Sequence, residues 1–209
     1  MVGLHDFAKL VQTIQILINI NGTKMNEPKF FNKENTLHVI NNKKVWESRS
    51  VVVQGVLMIK IGKEYYILLT KRSTHCHGEA GKYANVTGFM DWSESGIEAL
   101  KREYWEETKL FFDKYFNNTN LIYGSLKNPY QINTSPNSNM QNISCRYGFL
   151  FEVDTFPEVS ETKEASYVEF LPIATVISMI NHDEKQFAWN HGKTIKEFII
   201  KATANEKTD

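Results

Sequence analysis

The sequence predicts an α/β or α+β sandwich, in which apolar strands pack against two or three helices. Three observations indicate this class. An apolar, β-branched run begins at Ser50, a well-marked helix covers 95–110, and further apolar strands and helices follow as far as residue 202. With 209 residues, 42% of them hydrophobic, the chain can form a core and fits one domain with extensions better than two domains.

Residues 1–44 are predicted to form an N-terminal extension that mixes helix and connection. Asn, Lys and Glu are frequent from Asn21 to Lys44, and Leu10 to Ile20 has the character of one apolar helix side. That helix has no basic start and no small-residue cleavage site, so a signal peptide is not expected. No run is apolar for long enough to cross a membrane. The main domain is expected to span 45–205.

The main domain is predicted to begin with a β-hairpin. Residues 50–61 (SVVVQGVLMIKI) are β-branched and apolar, which is typical of a buried strand. Gly62 to Glu64 predicts a turn, and Tyr65 to Thr70 returns as the second strand. A loop over 71–82 follows, and it contains two glycines.

The helix over 95–110 has the clearest local signals. Ser95 and Glu98 make a capping box that marks its start. An apolar stripe at helical spacing is predicted to face the core; its members are Ile97, Leu100, Tyr104 and Phe111. Later strands are predicted at 121–126, 143–153 and 167–171, and later helices at 174–180 and 192–202.

The same helix carries a cluster of acids. Glu103, Glu106 and Glu107 are spaced i, i+3 and i+4, so one helix face presents all three. That face lies roughly 110° around the helix from the apolar stripe. Like charges at this spacing repel, and a bound cation removes the repulsion; carboxylate oxygens suit Mg²⁺ or Mn²⁺. For three carboxylates alone, a solvated acidic face is the simpler interpretation.

The residues that precede the helix give the cluster a more specific meaning. Gly88 is followed after five residues by Glu94 and after seven more by Arg102-Glu103-Tyr104-Trp105-Glu106-Glu107, with Leu110 beyond. This order resembles the Nudix box. Lys109 departs from it, because the box has glycine there as a left-handed helix cap. A Lys in that conformation costs about 1 kcal/mol.

The resemblance implies an α/β/α sandwich with a mixed sheet and a magnesium- or manganese-dependent hydrolase of diphosphate linkages. It assigns the metal to Glu103, Glu106 and Glu107. Arg102 would pair with a glutamate and orient it, and Glu94 would be a further orienting or water-bridging carboxylate. Gly88 belongs to the same motif.

Two further features stay open at this stage. Many members of the family place another acid on a later loop, and here Glu161 and Glu164 both stand at about the right place. Arg49 and Arg72 flank the hairpin strands and could bind phosphate, although ordinary surface arginines are the simpler interpretation.

Several activities fit a box of this kind. The first is hydrolysis of a nucleoside diphosphate linked to another group, such as ADP-ribose, a nucleotide sugar or a dinucleotide. Alternatives are a house-cleaning nucleoside triphosphate pyrophosphatase and a non-catalytic nucleotide-sensing module. Isopentenyl diphosphate isomerase is disfavoured because Asn85 to Gly88 contains no cysteine. RNA decapping is disfavoured because the net charge is zero.

Charge and cysteine content bound the partners and the compartment. Lys and Arg together equal Asp and Glu at 24 each, which gives no overall attraction to nucleic acid or to an anionic membrane. Cys76 and Cys145 without a secretion signal predict free thiols in the cytoplasm. The expected partner is a small-molecule nucleotide, and the family resemblance makes a homodimer plausible.

Overall fold

The computed structural model describes residues 36–47, 51–91, 93–134 and 143–205. All of them belong to one compact unit, 34–209. The described strands are β1 (Thr36–Ile40), β2 (Lys43–Glu47), β3 (Val51–Ile61), β4 (Glu64–Arg72), β5 (Tyr83–Ala84), β6 (Val86–Phe89), β7 (Leu121–Gly124), β8 (Gln131–Asn133), β9 (Ile143–Glu152) and β10 (Ala165–Pro172). The described α-helices are α1 (Gly96–Thr108), α2 (Phe112–Tyr115), α3 (Ile173–His182) and α4 (His191–Asn205).

Eight of these strands form one mixed sheet. Its main order is β10-β4-β3-β9-β7, with β5 added to β4, β6 added to β3 and β8 added to β9. β3 and β9 are parallel from Val51 opposite Ile143 to Lys60 opposite Glu152, and the other strand pairs of this sheet are antiparallel.

The sheet forks between β3 and β4, and the fork positions the site described below. These two strands pair only from Met58 opposite Ile67 to Ile61 opposite Glu64. Beyond that point β5 pairs with β4 and β6 pairs with β3. The chain therefore crosses from one branch of the fork to the other at Asn85.

Helices cover both faces of the sheet, because successive residues of each strand point to opposite faces. On β3, Leu57 and Ile59 pack in one core cluster with Leu100 and Tyr104 of α1. Their neighbours Val56 and Met58 pack in a second cluster against α3 and α4. The predicted α/β/α sandwich with a mixed sheet is confirmed.

The helix α1 confirms the predicted capping and corrects the predicted stripe. Ser95 and Glu98 form the capping box, and Lys109 ends the helix in the left-handed region with φ 58°. Phe111 was predicted to lie in the core, but its side chain is 60% exposed, and Phe112 is buried in its place. The helix ends at Thr108, so helical spacing no longer decides which side chain beyond it faces inward.

The hairpin β1–β2 was not predicted. Asn41 and Asn42 both have positive φ, as in the tight turns that join antiparallel strands. The hairpin runs across position 44, where the sequence predicts the end of the extension; that boundary stays a prediction. The helix expected at 10–20 lies outside the described residues. None of the described helices is both long and apolar enough to cross a membrane.

Candidate active site

The guanidinium of Arg102 is the centre of the acidic cluster. Arg102 is 4% exposed, and its Nε and Nη2 donate to the two carboxylate oxygens of Glu94 at 3.1 and 2.8 Å. Nη2 also donates to the carbonyl oxygen of Phe89 at 2.9 Å. These bonds tie α1 to the end of β6 and to the segment before the helix.

Arg102 also holds two of the three helix carboxylates. Its Nη1 donates to Oε1 of Glu103 at 2.6 Å and to Oε2 of Glu106 at 2.8 Å. Burial lowers the pKa of Arg102, but its hydrogen bonds to Glu94 and Glu103 and their charges outweigh burial and raise it above its ordinary value. Arg102 therefore stays charged, and it cannot neutralise every acid around it.

Glu103 lies against the backbone of β6. A side chain at Gly88 would collide with the Glu103 carboxylate, so the glycine permits this close approach. Glu103 is 8% exposed. Burial raises the pKa of Glu103 to about 8, and the negative charges of Glu106 and Glu164 add to the effect of burial against the lowering effect of Arg102.

Glu107 is buried at the fork of the sheet. It is 6% exposed and accepts a hydrogen bond from the backbone N–H of Thr87 at 3.3 Å. Burial and the charge of Glu103 raise the pKa of Glu107 well above its usual range, although the Thr87 N–H and Arg72 lower it. Glu103 and Glu107 are thus two buried carboxylates, one helical turn apart, whose negative charges the protein does not fully neutralise. A bound cation would supply the missing positive charge.

The loop before β10 is fastened to the end of α1. Thr162 Oγ1 donates to the Glu107 carbonyl oxygen at 3.1 Å, and the Ser160 N–H donates to the Thr108 carbonyl at 2.9 Å. The other side of the loop is held by the Glu164 carbonyl oxygen, which accepts from Ser73 N at 2.8 Å and from Cys76 Sγ at 3.1 Å.

The two loop acids that the sequence leaves open, Glu161 and Glu164, differ in their effect on the buried carboxylates. The charge of Glu164 raises the pKa of both Glu103 and Glu107, so its side chain lies near them. Both side chains are exposed, but the charge of Glu161 is not among the main causes that raise the pKa of Glu103 or Glu107.

Arg72, at the end of β4, lies beside the cluster. Its charge lowers the pKa of Glu107, and its Nε donates to the Gly78 carbonyl oxygen at 3.2 Å. The guanidinium stands 4.4 Å from the ring centroid of Trp189, a residue held at φ 44° and ψ 36°. Such left-handed backbone is costly for a bulky side chain and is often found at functional sites. Arg49, the second arginine considered, lies outside the described residues.

The arrangement is suited to a hard cation by its chemistry. Besides Glu103 and Glu106, Arg102 contacts Glu94 and also Asp91, whose Oδ2 lies 3.6 Å from Nε. Four acids therefore contact this one arginine. Among the described residues, no three His, Cys, Asp or Glu side chains converge at metal-binding distances as they stand. In this arrangement Arg102 and the Thr87 N–H hold the carboxylates instead.

Sequence reasoning did not find Trp189 or Thr87. Trp189 belongs to the site because its ring contacts Arg72, which lies 117 positions earlier in the chain. Thr87 belongs to it because its backbone N–H donates to Glu107. Neither has a local signal.

Residues 50–198 match the family model of the NUDIX domain. Comparison with curated proteins found no match to this sequence. Among solved structures, the chain is similar to a bifunctional NMN adenylyltransferase/ADP ribose pyrophosphatase from Francisella tularensis, complexed with AMP and a Mn ion. The TM-score is 0.55 and the identity 16%, over 94% of this chain and 49% of that one.

Two further structures are similar over most of their own length. The NUDIX domain of Shewanella oneidensis NrtR, complexed with ADP ribose, has a TM-score of 0.50 and 19% identity, over 78% of this chain and 90% of that one. A mutT/nudix family protein from Listeria innocua has a TM-score of 0.53 and 20% identity, over 78% of this chain and 99% of that one. This chain spans only about half of the Francisella protein, as its 49% coverage shows.

Proposed function

We propose that this chain, which belongs to the NUDIX domain family, hydrolyses the diphosphate linkage of a nucleoside diphosphate-linked or related nucleotide substrate with the help of Mg²⁺ or Mn²⁺. The observation that carries the proposal is the burial of Glu103 and Glu107 next to one another, with the pKa of each raised. Buried, under-compensated carboxylates suit divalent cations.

Glu103, Glu106 and Glu107 would hold the cation. When bound, it would neutralise diphosphate oxygens and acidify the attacking water. Arg102 would be a positioning residue, because its double hydrogen bond to Glu94 fixes the guanidinium that keeps Glu103 and Glu106 in place.

Glu164 and Arg72 would complete the site. Glu164 lies near Glu103 and Glu107 on an anchored loop. We propose that its carboxylate accepts the proton from the attacking water. Arg72 would donate to a phosphate oxygen. Its charge lowers the pKa of Glu107, so it lies near the carboxylates, and among the described residues no carboxylate forms an ion pair with it.

The choice of first substrates follows the relatives that share the fold. The Francisella protein is described as an ADP ribose pyrophosphatase complexed with AMP, and the Shewanella domain as complexed with ADP ribose. ADP ribose is therefore the first compound to test as a substrate. The other compounds of the panel are a nucleotide sugar, a dinucleoside polyphosphate and nucleoside triphosphates.

In the panel experiment, each compound is incubated with the protein in Mg²⁺, Mn²⁺ or EDTA, and the products are identified by chromatography. We expect cleavage of a diphosphate linkage with either cation and none in EDTA. Release of a nucleoside monophosphate and pyrophosphate from triphosphates alone would favour the house-cleaning activity instead. Tight binding of a nucleotide without any cleavage would favour the sensing module and would refute the proposed hydrolase.

The raised pKa values predict how stability depends on pH. Glu103 has a folded pKa of about 8 against an ordinary 4.5, so the folded protein binds its proton more tightly than the unfolded chain does. Without a divalent cation, the contribution of Glu103 to the free energy of unfolding therefore falls as the pH rises from about 4.5 through 8. We expect the melting temperature in EDTA to fall over that window, and millimolar Mg²⁺ to restore it at pH 8 because the cation binds the ionised carboxylates.

Glu103→Gln serves as the control for this prediction, because it cannot titrate. The variant should show a flatter pH dependence in EDTA and a smaller increase with Mg²⁺. If the melting temperatures of the wild-type protein and Glu103→Gln depend on pH in the same way, the Glu103 carboxylate is not the group that causes the pH dependence. If Mg²⁺ and Mn²⁺ shift neither melting temperature, metal binding at this cluster is refuted.

A further inference from the structure

A cavity of about 380 Å³ opens between the loop that follows β4 and the segment that joins α3 to α4. Glu79 and Lys82 line it from the loop, and Phe187, Trp189 and Asn190 are among the residues that line it from the segment. Small-molecule sites in proteins typically measure about 300–1,000 Å³. The volume therefore suits one nucleoside-sized group better than a whole dinucleotide.

Both walls of the cavity are held in place by the fold. On the loop side, the Arg72 N–H donates to the Lys82 carbonyl oxygen and the Gly81 N–H donates to the Arg72 carbonyl oxygen, each at 2.9 Å. On the other side, Phe187 is 3% exposed and forms a parallel bridge with Tyr83, the first residue of β5. The cavity is thus already shaped in the protein without a ligand.

Two successive residues of the cavity lining have left-handed backbone. Trp189 has φ 44° and Asn190 has φ 64°. Asparagine tolerates this conformation, but a bulky side chain such as tryptophan rarely adopts it, and such backbone is often found at ligand sites. The conformation is the one in which both side chains line the cavity.

Arg72 connects the cavity to the carboxylates. Its guanidinium lies 4.4 Å from the ring centroid of Trp189, and its charge lowers the pKa of Glu107. One side chain therefore lies beside both places. A substrate whose diphosphate lies between Arg72 and a cation at Glu103 and Glu107 can extend the group attached to that diphosphate into the cavity.

The charges around the cavity balance. Glu79 and Lys82 form an ion pair, and Glu184 and Lys185 add one charge of each sign. Phosphate groups are bound by excess positive charge, which this lining does not offer. A nucleobase is uncharged and planar, so the lining favours a base over a second phosphorylated group.

We propose that this cavity is the subsite for the nucleobase of the substrate, with Trp189 stacking on the base and Asn190 hydrogen-bonding to its edge, an inference that rests on the proposed function. Aromatic rings stack on bases of every kind, because each base has a π face. The amide of asparagine carries both donors and an acceptor, and base edges present the complementary atoms.

The binding experiment compares AMP with ribose 5-phosphate, each titrated calorimetrically into the full-length protein with Mg²⁺. We expect wild type to bind AMP at least about 10-fold more tightly, because only AMP carries a base. Trp189→Leu keeps apolar bulk but removes the aromatic face, so it should weaken AMP binding by about fivefold or more. Trp189→Phe keeps an aromatic face and should stay within about threefold of wild type. Neither variant should change the affinity for ribose 5-phosphate.

Asn190→Gly tests the polar contact. Glycine adopts positive φ without strain, so the substitution removes the amide and leaves the backbone as it is. We expect AMP binding to weaken by about fivefold, the typical effect of one lost hydrogen bond, and ribose 5-phosphate binding to stay unchanged. A thermal melt of each variant shows that it is folded, and Asn190→Gly decides the matter if Trp189→Leu is not.

Trp105→Leu is the matched control. Its ring also lies beside a cation, Lys109 Nζ at 5.3 Å from the centroid, but it is half exposed on α1 and does not line the cavity. It should leave both affinities unchanged.

Three results overturn the subsite. The first is wild-type binding of AMP that is no tighter than binding of ribose 5-phosphate, or is absent. The second is an equal loss of both ligands in Trp189→Leu, which would make Trp189 a positioning residue for Arg72 alone. The third is unchanged AMP affinity in Trp189→Leu and Asn190→Gly. These measurements need no turnover, so a protein that binds AMP here and hydrolyses nothing refutes only the proposed hydrolase.

Discussion

Glu107→Gln is expected to lower the turnover number by about 10²-fold or more while the melting temperature stays level or rises. The substitution keeps the length of the side chain, and the amide oxygen can still accept the Thr87 N–H. It removes a negative charge that is buried next to Glu103, and that charge is costly in the metal-free protein, because burial and Glu103 raise the pKa of Glu107. Losing one electrostatic contact at the reacting centre typically costs 10²–10³-fold in rate. Steady-state hydrolysis of the best substrate and a thermal melt measure the two effects.

Glu98→Gln is the control on the same helix. Glu98 accepts the Ser95 N–H at 2.8 Å in the capping box, and Gln preserves that arrangement. It removes one negative charge of α1 at a distance from the cluster, so turnover should stay within about twofold. Equal losses in both variants would show a general charge effect, and wild-type turnover in Glu107→Gln would exclude α1 as the catalytic element.

The local signals on α1 were strong enough for sequence reasoning to place most of the cluster. Ser95 and Glu98 fixed the start of the helix, and the i, i+3, i+4 spacing fixed a shared face for the carboxylates. Lys109 shows why the departure from glycine mattered little: it adopts the left-handed cap itself, and its N–H donates to the Trp105 carbonyl oxygen. Its Nζ also lies 5.3 Å from the Trp105 ring centroid, a contact that helps to hold this end of the helix.

Burial and long-range pairing could not be predicted in the same way. For the three carboxylates alone, the sequence suggested a solvated acidic face. Glu103 and Glu107 are instead both nearly buried, because β6 lies directly against the helix and Gly88 leaves room for a carboxylate. β5 and β6 are too short to carry a periodic signal, yet they make the fork that brings Thr87 to Glu107. Contacts of this kind depend on the whole sheet.

Glu164→Gln is expected to reduce turnover by about 10²–10⁴-fold, the range for loss of a general base, and to leave the fold intact. Its side chain is exposed, and the loop is held instead by its backbone carbonyl oxygen, which accepts from Ser73 N and Cys76 Sγ. The amide therefore removes the proton acceptor without loosening the loop. The decisive measurements are the turnover number of the variant beside that of wild type and a thermal melt of each, because loss of the proton acceptor lowers the first and leaves the second unchanged.

Glu161→Gln gives the matched comparison, three residues away on the same loop. Its charge is not among the main causes that raise the pKa of Glu103 or Glu107, so we expect turnover within about twofold of wild type. A large loss in Glu161→Gln with near-normal Glu164→Gln would reverse the assignment. Small losses in both would mean that neither loop acid takes the proton and that a carboxylate of α1 does so.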